Sequence, residues 1–90
     1  MICHVRWSQT ASDKLSKIWL AADSESRPAI TAASHEIERQ LRNSPRAESE
    51  SRDAGRRVMF AAPLEVLFRV DDDDMLVSVL KVWHLRLHSD

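Results

Sequence analysis

An α+β fold is what this chain predicts: β-α-α-β-β-β, with a helical hairpin packed on one face of a small, mainly antiparallel four-stranded sheet. Three observations carry that prediction. The last third of the chain is made of strand-like apolar runs separated by turn residues, the first half holds two stretches with apolar residues at helical spacing, and a short alternating segment precedes them. With 90 residues the chain makes one domain, 1–90, whose modest core buries only about 60–65% of the unfolded surface.

The elements follow in order. Residues 2–7 alternate, Ile2, His4 and Arg6 against Cys3, Val5 and Trp7, as a short first strand does. Ser8, Thr10 and Ser12 are each able to cap the helix that follows, in which Ala11, Leu15, Ile18, Trp19 and Ala22 make an apolar stripe. Asp23 and Ser24 interrupt that stripe and offer a new N-cap, with Pro28 tolerated in a first turn. The second helix places Ile30, Ala33, Ile37 and Leu41 on one face, and Asn43-Ser44-Pro45 stops it. Residues 43–56 read as a polar connection, rich in Ser, Glu and Arg. A three-strand meander then runs from Arg57 to Trp83, turning at Ala61-Ala62-Pro63 and at the solvated tip Asp71 to Asp74. In its middle strand Leu64, Val66, Phe68 and Val70 fall on one face, and Glu65, Leu67 and Arg69 on the other.

Composition narrows the classes of function. Apolar content of 43% and charged content of 30% belong to an ordinary globular chain. No apolar run approaches the roughly 18 residues a membrane helix needs, and no secretory leader is apparent, so a cytoplasmic chain with no membrane partner is expected. Cys3 is the only cysteine, which excludes an internal disulfide. A lone glycine, Gly55, excludes glycine-rich phosphate loops, and no cofactor is expected. His84 and His88 lie four apart while Cys3 and His4 are distant in sequence, which is not the spacing of a metal set, so no metal is expected. The net charge of −1 is low for a chain that grips nucleic acid through many phosphates, although Arg46, Arg52, Arg56 and Arg57 form a local basic cluster.

The order of elements, together with a set of short motifs, resembles the RelE/ParE superfamily of toxins from type II toxin–antitoxin modules, which includes plasmid-stabilisation proteins. The motifs are Val5-Arg6-Trp7-Ser8, Ile18-Trp19, Glu50-Ser51-Arg52, Pro63-Leu64, Phe68-Arg69-Val70 and Val82-Trp83-His84-Leu85-Arg86, and the likeness covers nearly the whole chain. The resemblance implies a growth-inhibiting toxin, neutralised by a cognate antitoxin whose segment covers the sheet face the helices leave open. It also implies one of two actions. The ParE-like branch binds DNA gyrase without chemistry of its own. The RelE-like branch cuts messenger RNA on the ribosome, with cations facing the phosphate and an acid or base at the attacking oxygen.

Several residues are candidates for those roles. Cleaving relatives carry a Tyr-Arg-hydrophobic run after the turn, where this chain has Leu64 and Glu65, and the chain holds no tyrosine at all. A carboxylate in place of a phosphate-facing cation repels the substrate. If the chain is a nuclease, Arg57, Arg69 and His84 are the substitute set, histidine because it titrates near neutrality. Arg52, Arg56 and Arg86 are candidates for contact with the cellular target. Met59, Leu67, Val77 and Val79 are the expected apolar strip beneath the antitoxin, with Val66, Phe68, Val70, Leu80 and Val82 beneath the helices. Several have a plainer alternative: Arg69 pairing with Glu65 or the aspartate tip; His84 as a surface histidine at a strand end; Arg52, Arg56 and Arg57 pairing with Glu48, Glu50 and Asp53; and the three tryptophans, Trp7, Trp19 and Trp83, as core or core-edge aromatics and not base-stacking platforms. Inhibitory binding to a replication or translation target, of gyrase type, is the expected action. A ribosome-dependent endonuclease and a degenerate, non-toxic binding module are the rivals, so whether the chain is an enzyme stays open at this point.

Overall fold

A computed structural model describes residues 2–47 and 49–85. The strand β1, His4–Trp7, leads into α1, Gln9–Ala21, and α2, Arg27–Asn43. A short β2, Ser49–Ser51, and a single 3-10 turn at Asp53–Gly55 precede the meander of β3, Arg56–Ala61, β4, Leu64–Asp71, and β5, Leu76–His84. The sheet therefore has five strands rather than the expected four, in the order β1-β5-β4-β3-β2. β1 runs parallel to β5, and every other neighbouring pair is antiparallel. The additional strand lies inside the polar connection. Ser49-Glu50-Ser51 has no β-branched or aromatic residue to announce it, and only its pairing with β3 makes it a strand.

Local chemistry accounts for the helices. The Ser8 hydroxyl accepts the Ala11 N–H at 3.1 Å and so caps α1, one of the three hydroxyls able to do so. At the other end Arg27 closes the hairpin. Its Nε donates to the Trp19 carbonyl at 3.0 Å, its Nη2 to the Leu20 carbonyl at 3.2 Å, and its guanidinium lies 4.3 Å from the Trp19 ring centroid. Between the helices, Asp23 accepts the Ser26 N–H at 2.8 Å. That bond holds its carboxyl below the usual aspartate range.

The core sits between the hairpin and one face of the sheet. Ala11 and Ile18 of α1, with Ile30, Ala33, Ile37 and Leu41 of α2, pack on Met59, Leu64, Val66, Phe68, Val77, Val79 and Val82. Burying a large aliphatic side chain contributes about 1.5–3 kcal/mol, so the α2 stripe alone is a major share of what holds the layers together. The Trp7 indole N–H donates to Glu38 at 3.0 Å and ties β1 to α2. Among the described residues no helix covers the second face, and none is long and apolar enough to cross a membrane.

β5 changes phase part-way along. Phe68 stands opposite Val79 but Leu67 opposite Lys81, so Leu80 is an extra residue, a β-bulge. Val77 and Val79 point into the core before it, and Val82 after it. Ser8 holds the bulge in place: its N–H donates to the Val79 carbonyl at 2.9 Å and its hydroxyl to the Leu80 carbonyl at 3.2 Å.

Candidate interaction face of the sheet

The register fixes what the uncovered face presents. Antiparallel partners share a face, so Arg56 and Arg69, Val58 and Leu67, and Phe60 and Glu65 point away from the helices. β5 adds Leu76, Ser78, Lys81 and Trp83, and β1 adds His4 and Arg6. Phe60 and Trp83 are 56% and 36% exposed and give this face its apolar character, with half-buried Val58 and nearly covered Leu67 beside them. Its cations are Arg6, Arg56, Arg69 and Lys81.

This placement corrects three of the four residues expected beneath an antitoxin. Met59, Val77 and Val79 are buried against the helices, and only Leu67 lies on the open side. Met59 pairs with Val66, whose inward position sets the face of both residues. In β5 the bulge breaks strict alternation, so Val79 and Val82 both face inward and Leu80 does not join them under the helices. Val66, Phe68, Val70 and Val82 pack on the helix side as expected.

The arginines and histidine proposed for cleavage do not meet. Arg57 pairs with Phe68 and His84 with Leu64, so both lie on the helix side, but they are four positions apart along the strands, about 13 Å, and on opposite sides of β4. Arg69 points the opposite way. Arg57 is also engaged: its Nε donates to the Ser49 hydroxyl at 2.7 Å, Nη2 to the Ser49 carbonyl at 3.0 Å, and Nη1 to the Ser51 hydroxyl at 3.3 Å. It stitches β2 to β3. His84 faces the cleft between the helical turn and the β3–β4 connection, near Lys14, Lys17 and Pro63.

Of the residues assigned to target contact, Arg52 is exposed and pairs with Glu50 at 3.3 Å, as its plainer reading had it. Arg56 is half-buried, and Arg86 lies outside the described residues. Arg69 has no ion-pair partner among the described residues: neither Glu65 nor the aspartate tip reaches it. The tip is engaged elsewhere. Arg46 grips Asp72 with two bonds of 2.9 Å, holding that carboxyl below the usual range and tying the connection after α2 to the β4–β5 turn. Arg6, Ser78, Val58 and Phe60 were missed as face residues. The alternation of residues 2–7 already set Arg6 on the side of His4, but only the parallel pairing with β5 shows which side is open.

Over residues 5–86 the chain matches the family model described as the ParE toxin of type II toxin–antitoxin systems. The chain belongs to the ParE toxin family. It is therefore a toxin of a type II toxin–antitoxin system, as the motifs implied. Among solved structures it is similar to the toxin–antitoxin complex RelBE2 of Mycobacterium tuberculosis, at 27% identity over 93% of this chain and 99% of that one, with a TM-score of 0.74. A chain of the chromosomal ParDE system of P. aeruginosa shares the fold at 17% identity, 94% and 98% coverage and a TM-score of 0.72. The isolated E. coli RelE toxin does so at 16% identity, 96% and 87% coverage and a TM-score of 0.62. No curated protein matches the chain.

Proposed function

We propose that this ParE-family toxin arrests growth in the cytoplasm by binding a gyrase-type target of replication, without cutting RNA, and that a cognate antitoxin neutralises it by covering the open sheet face. The divergence of Arg57, Arg69 and His84 carries the reading. Cleavage needs an acid–base group within hydrogen-bond reach of the reacting oxygen and cations converging on the same phosphate, and that set is spread over two faces. Binding needs neither. An exposed face of mixed apolar and cationic side chains suits a protein partner. The antitoxin is proposed because similar chains occur in complexes of that kind.

Induced expression of the chain alone is expected to stop growth, with double-strand breaks and an SOS response and with the messenger pool intact. Co-expression of the antitoxin encoded beside it restores growth. Messenger RNA cut within codons, with unbroken DNA, would overturn the binding mechanism in favour of ribosome-dependent cleavage. Unimpaired growth at good expression would leave a non-toxic binding module.

A further inference from the structure

Three arginines stand in one line across the open face. Arg56 of β3 is opposite Arg69 of β4, Arg69 is opposite Ser78 of β5, and Ser78 is beside Arg6 of β1. Neighbouring strands lie about 4.8 Å apart, so the whole row spans about 14 Å. None of the three has an ion-pair partner among the described residues, whereas Arg39, Arg42, Arg46 and Arg52 all do. Two features make the row costly as it stands. Like charges directly opposite one another weaken a sheet, and the Nε of Arg56 is buried with no hydrogen-bond acceptor. An anion laid on the row offsets the opposed charges, while the Arg56 Nε lies too deep for it to reach.

The surroundings say what carries that anion. Leu76 borders the row on one side and Val58 and Leu67 on the other, while Asp71 and Glu65 share the same face two and four positions along β4 from Arg69. A nucleic-acid backbone would run its phosphates past those carboxylates and leave the apolar side chains uncovered. A peptide sets one carboxylate on the arginines and apolar side chains to either side. We infer that Arg6, Arg56 and Arg69 form a carboxylate-recognition row for an acidic residue of the antitoxin segment, flanked in that segment by apolar residues. The inference rests on the reading above that an antitoxin covers this face, and it adds the chemistry by which the segment is recognised.

The test uses the full chain and the antitoxin encoded beside it, with a single-stranded RNA 20-mer as the competing polyanion. The double variant R6Q/R69Q is expected to bind the antitoxin at least tenfold more weakly and to lose most of the dependence of affinity on salt between 50 and 300 mM. The same variant, free, should melt no lower than the original chain, because one opposed pair of charges is gone; a merely structural role for the arginines would lower both. Leu67→Ala should weaken binding while leaving the salt dependence as it was. Unchanged affinity and salt dependence in R6Q/R69Q would overturn the assignment, as would an arginine-dependent grip on the RNA alone. Failure of the functional reading has a separate signature: the unsubstituted chain would then bind no antitoxin or fail to arrest growth.

Discussion

Ser8 acts in two places at once. Its hydroxyl caps α1 by accepting from Ala11 and also donates to the Leu80 carbonyl, while its N–H bonds the Val79 carbonyl. A cap alone is worth about 1 kcal/mol, and a second bond to a half-buried carbonyl adds a comparable amount. Ser8→Ala is therefore expected to cost about 1.5–2.5 kcal/mol, more than an ordinary cap, measurable by urea denaturation; a loss of about 1 kcal/mol or less would show the bond to the bulge contributes nothing. The sequence offered Ser8, Thr10 and Ser12 as equal candidates because a hydroxyl's partner across the sheet is invisible until the strands are paired. Arg57 teaches the same lesson. As a cation in a polar stretch it reads as functional or solvated, and what decides its role is the pair of serines that β2 sets beside it.

Elements whose periodicity is unbroken were fully legible. Ile30, Ala33, Ile37 and Leu41 recur at helical spacing, and all four are buried on one side of α2. β4 alternates apart from Leu67, which is apolar and buried on the outward parity, and its inward residues Leu64, Val66, Phe68 and Val70 follow from the pattern. β5 does not, since Leu76, Val77, Val79, Leu80, Val82 and Trp83 put apolar residues on both parities and no alternation marks the bulge. The β4–β5 turn carries a pH prediction that belongs to this scale. Arg46 depresses the Asp72 carboxyl, so the pair supports the fold above the ordinary aspartate value of about 3.9, and the support is lost as pH falls through the lowered value. Asp72→Asn should lower the melting temperature at pH 7 and 20 mM salt, with the two melting curves converging once the pH has fallen through the lowered Asp72 value. Curves that stay separated at low pH would exclude the ion pair as the cause.

At the scale of the molecule, the layer arrangement was readable and the site was not. Two amphipathic helices and a meander leave few alternatives, and the family motifs are spread along the chain in an order the fold preserves. The arginine row joins residues 6, 56 and 69, which meet only through three strand pairings. Nothing local in the sequence sets Arg6 beside Ser78. The wrong members of the expected antitoxin strip, Met59, Val77 and Val79, come from the same source: one register decision turns a whole strand over.

The extra residue in β5 lets Val79 and Val82, three apart in the chain, both face inward. Excising Leu80 would make the pairing regular while leaving Val79 and Val82 inward and Lys81 and Trp83 outward, and would remove the carbonyl that the Ser8 hydroxyl grips. A one-codon deletion there is therefore expected to keep a sharp unfolding transition at a lowered midpoint, and a deletion variant that no longer unfolded cooperatively would show that the bulge itself is indispensable.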